Sequence, residues 1–155
     1  DYELNRAWGL GASYRFYSTR KNEDRYSNRH KFNLDLSFKQ NYYLLSLKIR
    51  TRLQMSFKDI YSSDDGKIPA FDWRNKLELK YKLTKKIKPF LYFECYLPLS
   101  DSQPFELTKT KYCIGVEYKV NKRNSFEFYY LFQAQQHKND PDRDFVTGIS
   151  YICSF

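Results

Sequence analysis

Strict alternation of polar and apolar side chains is clearest over residues 31–39, KFNLDLSFK. The apolar positions are Phe32, Leu34, Leu36 and Phe38, and the positions between them are Lys31, Asn33, Asp35, Ser37 and Lys39. A period of two puts the two sets on opposite faces of a β-strand, whereas a helix would mix them around its surface. The stretch therefore predicts a strand with one apolar face and one charged face.

The same alternation recurs along the chain. Seven further segments show it: residues 8–17, 43–57, 71–81, 90–99, 109–120, 125–135 and 145–155. Segment 90–99 is apolar on both faces, and Glu94 marks its polar side. Most of the eight segments are near the length of about 9–11 residues with which a tilted strand crosses a bilayer.

The connections between these segments alternate between short and long. Residues 40–42, 82–89 and 121–124 form short links, and residues 18–29, 58–70, 100–108 and 136–144 form longer ones. Outer-membrane barrels have this arrangement, with short periplasmic turns and longer extracellular loops. The pattern predicts an all-β, eight-stranded antiparallel up-and-down transmembrane β-barrel. It would be one domain over residues 1–155 in the bacterial outer membrane, with both termini periplasmic.

Composition agrees with a single folded domain. The chain has 155 residues, 41% of them hydrophobic and 19% aromatic, with a formal net charge of +9. It contains no run of about 18 uncharged apolar residues, which a membrane-spanning helix would need. A disordered chain and a helical membrane protein are therefore excluded.

Aromatic residues occupy the apolar face near both ends of almost every segment. Those at the short-turn end are Trp8, Phe38, Tyr43, Tyr81, Tyr118, Phe126 and Phe155, and those at the long-loop end are Phe16, Phe32, Phe57, Trp73, Tyr112, Phe132 and Phe145. Membrane barrels carry aromatic girdles at both bilayer interfaces. We expect these rings to face lipid or a protein partner.

The opposite face carries an excess of cations, which a barrel would enclose. Its charged residues are Arg15, Lys31, Lys39, Lys48, Arg50, Arg52, Arg74, Lys76, Lys80, Lys111, Lys119, Asp35, Asp72, Glu78, Glu94, Glu117 and Glu127. Because buried charges need partners, we expect a network of ion pairs in the lumen. Eight strands leave an interior that side chains can fill, so a plugged barrel is expected, and an anion conduit is the alternative.

Other chemistry has little support in the sequence. A nucleic-acid platform needs cations and aromatic rings on one surface, whereas here they alternate between faces. Cys95, Cys113 and Cys153 lack metal-ligand spacing, so neither a metal nor a cofactor is expected. His30 and His137 lie in no nucleophile motif. We therefore expect no enzymatic activity, and a lipid-modifying enzyme is a lesser alternative.

Several motifs resemble a known group of proteins. They are WRNKLELKYKL at residues 73–83, KPFL at 88–91 followed by Glu94, GVEYK at 115–119, and GISY at 148–151 with the end at Phe155. From about Arg29 onward the chain resembles an uncharacterised family of short outer-membrane barrels common in Bacteroidota. The resemblance implies a barrel, and it implies no activity, because that family is itself of unknown function.

These observations predict a small barrel with a charged, plugged lumen. We expect it to contact outer-membrane lipid and to act as a structural or accessory subunit docked on a larger envelope complex. A soluble, lipocalin-like ligand-binding barrel is the other possibility, and its interior would be apolar.

Overall fold

The computed structural model describes residues 2–22, 25–58, 68–99, 106–136 and 143–153. These residues form one antiparallel sheet in which each strand pairs with the next along the chain. The strands are β1 (Tyr2–Glu3), β2 (Trp8–Asn22), β3 (Arg25–Tyr42), β4 (Leu45–Lys58), β5 (Ala70–Tyr81), β6 (Ile87–Pro98), β7 (Lys109–Lys119), β8 (Asn124–Gln135) and β9 (Arg143–Cys153). The all-β, antiparallel, up-and-down arrangement is confirmed.

Two parts of the fold prediction need correction, namely the number of strands and closure. The described sheet has nine strands rather than eight, and within it β9 pairs with β8 alone. The additional strand, β1, lies on the free edge of β2, with Tyr2 opposite Leu10 and Glu3 opposite Gly9. Two residues are too few to display a period, so the sequence pattern could not reveal β1.

A local turn brings β1 back onto β2. The side-chain oxygen of Asn5 accepts hydrogen bonds from the backbone N–H groups of Ala7 and Trp8, at 2.8 and 2.9 Å. The N–H of Leu4 donates to the carbonyl of Trp8 at 2.9 Å. Asparagine favours such turns because its side chain replaces a backbone acceptor.

The predicted long loop at residues 18–29 is also wrong. β2 and β3 continue through most of it as a paired hairpin, with Tyr17 opposite Arg29 and Arg20 opposite Tyr26. This part of the hairpin has polar residues on both faces, so it lacks the alternation that marks a half-apolar strand.

Tyr43, predicted as the first residue of a strand, lies instead in a tight turn. Tyr42 pairs with Leu45, which leaves Tyr43 and Leu44 as the two turn residues. Tyr43 has a φ of 39° and its side chain is 93% exposed. A two-residue hairpin needs positive φ at its first central position, so the turn geometry overrides the side-chain pattern here.

The sheet curls around its charged face. Arg50 of β4 reaches Glu94 of β6, and Lys80 of β5 reaches Glu117 of β7. Lys80 also reaches Glu127 of β8, and a contact that skips two strands requires strong curvature. The charged face is therefore concave, and the apolar face is convex.

Burial in this protein is inverted relative to an ordinary water-soluble domain. Phe90 and Cys113 are buried hydrophobic side chains, whereas the buried polar residues are Ser27, Asn33, Arg52, Gln54, Glu94, Thr110, Glu117 and Ser125. On the convex face, Leu34, Ile114 and Ile149 are 63%, 65% and 69% exposed. In the described part of the chain, no helix is long and apolar enough to cross a membrane.

Candidate functional site

Glu94 is the centre of the charge network on the concave face. It is 4% exposed, and its Oε1 accepts hydrogen bonds from Arg74 at 2.9 Å and from Arg50 at 3.1 Å. The Tyr96 hydroxyl donates to its other oxygen at 3.3 Å. One carboxylate thus compensates two guanidinium groups contributed by β4 and β5.

The network extends from Glu94 along β5 and β4, and a separate ion pair joins β4 to β3. Arg74 donates to the side-chain oxygen of Gln54 at 2.9 Å, and the Gln54 amide donates to Asp72 at 3.1 Å. Arg52 binds Asp35 through two parallel hydrogen bonds of 2.5 Å each. Such bidentate pairs fix the guanidinium plane as well as its charge.

A second group of ion pairs lies nearer the short turns. Lys80 contacts Glu117 at 2.7 Å and Glu127 at 3.4 Å, and Lys88 contacts Glu117 at 3.5 Å. Lys76 pairs with Glu78 at 2.7 Å within β5. Ten of the seventeen charged residues predicted for this face meet in ion pairs: Asp35, Arg50, Arg52, Arg74, Lys76, Glu78, Lys80, Glu94, Glu117 and Glu127. Lys111 lies opposite Glu94 in the β6–β7 register and forms no ion pair with the residues that the structure describes.

Aromatic rings from β6 lie among these charges. The ammonium of Lys76 is 3.8 Å from the ring centre of Tyr92, and the guanidinium of Arg74 is 4.4 Å from that of Tyr96. Lys111 is 5.4 Å from the Tyr96 ring. Sequence reasoning missed these cation–π contacts, although the two apolar faces of residues 90–99 were the available signal.

The remaining predicted lumen cations have a different setting. Lys31 lies 5.3 Å from the ring centre of Tyr17, and Arg15 is opposite Lys31 in the β2–β3 register. Lys48 is opposite Lys39 on β3 and opposite Glu78 on β5. Neither Lys39 nor Lys48 forms an ion pair with any residue that the structure describes.

Two adjoining cavities open on the concave face. The larger, of about 510 Å³, is lined by residues of β1 to β4, including Arg15, Asp35, Arg50 and Arg52. The other, of about 440 Å³, is lined by residues from β3 to β7 together with Lys82. Lys39 and Lys48 line both cavities.

The predicted girdle rings contact one another across the convex face. Trp8 and Phe38 have ring centres 5.0 Å apart, and a series of contacts at 5.1–6.2 Å runs through Phe93, Tyr112, Phe132 and Phe145. Phe32 meets Phe57 edge-on at 6.4 Å and Phe16 lies 5.1 Å from the His30 ring. Tyr81, Tyr118 and Phe126 are exposed on the same face, Trp73 is half-buried, and Phe155 is outside the described residues.

The residues with conventional catalytic or metal-binding chemistry are dispersed. His30 lies on the convex face, with its Nδ1 2.7 Å from the Tyr14 hydroxyl, and His137 is outside the described residues. The three cysteines are free. Across the described ranges, no three His, Cys, Asp or Glu residues cluster as metal ligands would.

Together, these features define a class: a curled, up-and-down antiparallel sheet with a charged concave face and an exposed apolar convex face. The chain belongs to the family described as Protein of unknown function (DUF2490), whose model matches residues 1–144. No curated protein matches it. The family confirms that the resemblance seen in the sequence is to a group of unknown function.

Proposed function

We propose that the chain is a small outer-membrane β-barrel that serves as a structural or accessory subunit of a larger envelope complex. The inverted polarity of the sheet carries the proposal. Leu34, Ile114 and Ile149 project from the convex face, while Arg52, Glu94 and Glu117 are buried on the concave face. In water this distribution would leave a large apolar surface exposed. In a bilayer the apolar convex face would contact lipid, and the charged concave face would line the interior of the barrel.

The lipocalin-like alternative requires the opposite polarity. A soluble ligand-binding barrel keeps polar side chains outside and encloses an apolar cavity. The concave face here has Arg50, Arg74 and Glu94 at its centre. This observation favours the membrane protein over the soluble one.

Membrane insertion requires that β9 close onto β2, because unpaired strand edges are not tolerated in the hydrocarbon region. Strands β2 to β9 would then form the eight-stranded ring. In such a ring β3 and β7 are diametrically opposite, and residues of both already line the 440 Å³ cavity. The proposed closure thus continues a curvature that the sheet has.

The proposed orientation places the short turns in the periplasm. These turns are basic, and they contain Lys82, Lys85, Lys86, Lys122 and Arg123. Basic residues beside phospholipid head groups contribute about 1 kcal/mol each when the surface is anionic. Short periplasmic turns are also the general rule for outer-membrane barrels.

The membrane assignment is tested by Ile114→Arg. Ile114 is central in β7 and 65% exposed, so a bilayer should impose a penalty of about 2–4 kcal/mol, whereas in water the change should be nearly neutral. The measurement is urea unfolding of the protein refolded into lipid vesicles. Leu83→Arg is the matched control, because Leu83 is 60% exposed but lies in a turn outside the apolar band. Equal, near-zero effects of both substitutions would reject a membrane-embedded convex face.

In the proposed accessory role, the convex face and the two ends of the barrel contact the partner protein. Ion pairs crossing the concave face beside its two cavities support this, since they would obstruct the path of a transported solute. A photo-crosslinker at Ile149, introduced in cells and followed by mild-detergent extraction, tests the idea. A discrete adduct with one larger envelope protein is expected, and adducts with lipid alone would contradict it.

A further inference from the structure

Opposed like charges are a recurrent feature of the concave face. The cross-strand register places Arg15 opposite Lys31, Lys39 opposite Lys48, Arg50 opposite Lys76, Arg52 opposite Arg74, and Glu117 opposite Glu127. Directly opposed like charges destabilise a sheet unless another group intervenes. What lies between each pair is therefore informative.

Four of the five pairs have such a group. Glu94 binds both Arg50 and Arg74, while Asp35 binds Arg52 and Glu78 binds Lys76. Lys80 lies between the two opposed carboxylates of β7 and β8. Lys31 lies against the Tyr17 ring.

Lys39 and Lys48 differ from the other four pairs. Both are exposed into the two adjoining cavities, and neither makes an ion pair within the described ranges. Two carboxylates line the same cavity, Glu78 and Glu117, and both are engaged by other lysines, although Glu78 is opposite Lys48 in the register. Lys82 lines the same cavity and likewise has no ion-pair partner among the described residues.

We infer that this lysine pocket, defined as Lys39, Lys48 and Lys82 with Asn41 and Ser46, is a binding site for a phosphate group. These three lysines line one open cavity of about 440 Å³, which has the size of a small-ligand site. The same cavity is also lined by two carboxylates, Glu78 and Glu117, and by Lys80 and Lys88, and these four residues pair with one another or with Lys76. Ammonium groups bind phosphate as point charges, and a phosphate has enough oxygens to meet several of them at once. The Asn41 amide and the Ser46 hydroxyl add neutral donors at the same wall.

The phosphate could belong to a lipid head group or to a soluble compound, because the pocket lies at the short-turn end of the concave face. Both sources offer the same chemistry to the lysines. The inference does not depend on membrane insertion, since the pocket is formed by side chains of β3 and β4 together with Lys82, whatever surrounds the convex face.

The test uses the full chain in a non-ionic detergent, with sodium pyrophosphate as the soluble probe and short-chain phosphatidylglycerol as the lipid probe. Binding is followed by calorimetry and by native mass spectrometry, respectively. The variant is Lys39→Gln with Lys48→Gln. The matched control is Lys85→Gln with Lys86→Gln, which removes the same charge from the same end but from residues that line neither cavity.

Saturable binding of one probe is expected, and the pocket variant should weaken it by about tenfold or more, with less than about a twofold change in the control. The probe that responds identifies the source of the phosphate. Failure of both probes to bind saturably, or equal weakening in variant and control, would overturn the inference, because ordinary screening of a basic surface affects both pairs alike.

The urea concentration at the unfolding midpoint provides an independent check, because the pocket substitutions should raise it without a probe and should abolish its increase with a probe. Without a probe, the pocket variant should unfold at a higher urea concentration than the original protein, because it relieves an opposed like-charge pair. With the probe, only the original and the control should gain stability, since binding to the folded state alone raises the midpoint. A pocket variant that still gains stability from the probe would also overturn the inference.

Discussion

Glu94 shows how a single residue organises the concave face. Its carboxylate is almost fully buried, and it is shared by Arg50 and Arg74 with the Tyr96 hydroxyl on its second oxygen. Removing one partner from a buried ionic group leaves the other charges uncompensated, which destabilises more than the net contribution of the pair would suggest.

We therefore expect Glu94→Gln to lower the free energy of unfolding by about 2–3 kcal/mol. This loss is smaller than for a fully buried ion pair, because Arg50 and Arg74 keep partial access to water. Equilibrium unfolding in urea measures it. Glu127→Gln is the control: Glu127 is more exposed and 3.4 Å from Lys80, which keeps its closer partner Glu117. A control effect as large as that of Glu94→Gln would contradict the central role of Glu94.

At the scale of strands, aromatic rings on the concave face fill the space above glycines on neighbouring strands. Phe90 of β6 lies over Gly115 of β7, and Tyr129 of β8 lies over Gly148 of β9, in directly opposed positions. Each ring occupies the space that a side chain on the opposite residue would fill, so that residue is glycine. Large and small residues therefore alternate across β6 to β9. This device lets the sheet curl tightly without leaving its interior empty.

Gly148→Ala should therefore destabilise the β8–β9 pairing by about 1–3 kcal/mol, because its Cβ would overlap Cζ and the hydroxyl oxygen of Tyr129. Adding Tyr129→Leu should recover most of the loss, since the three nearest atoms all belong to the Tyr129 side chain. Gly115→Ala is the contrasting variant: its Cβ would also meet the Phe128 carbonyl oxygen at 2.7 Å, so Phe90→Leu should not rescue it fully. Thermal or urea unfolding of the double-mutant cycles measures the coupling, and equal rescue at both glycines would refute this account.

For the whole molecule, closure of the barrel depends on whether the free edges of β2 and β9 pair with each other. Among the described residues β9 pairs with β8, and β1 occupies the edge of β2 at Gly9 and Leu10. Beyond those two residues β2 has a long edge on which β9 could pair. A bilayer would favour that pairing strongly, because each unpaired backbone group in hydrocarbon costs several kcal/mol.

Spin labels on Ala12→Cys and Ile149→Cys, in a chain otherwise free of cysteine, test closure. In lipid vesicles their distance distribution should match that of Phe128→Cys with Ile149→Cys, since Phe128 and Ile149 are already opposed neighbours on β8 and β9. Adjacent strands lie about 4.8 Å apart, so both label pairs should give short, narrow distributions. A long, broad distribution for the first pair in lipid would mean that the sheet stays open.

Much of this architecture follows from local sequence alone. A period of two is a property of the extended backbone itself, so the segments, their two faces and the antiparallel order could be recognised before any contact was known. The contrast between charged and apolar faces likewise required no tertiary information. It also identified the charged residues that meet around Glu94, though neither their partners nor the roles of Gln54 and Tyr96.

Other features were decided by the tertiary structure. The partners of Glu94 and the isolation of Lys39 with Lys48 depend on cross-strand register and curvature, which arise from pairings between residues distant in the chain. The hairpin of β2 and β3 beyond Tyr17, and the two-residue strand β1, are held by backbone hydrogen bonds to an adjacent strand, and backbone bonds leave no pattern in side-chain polarity. Side-chain alternation specifies which way each residue faces, and only the assembled sheet specifies what it meets there.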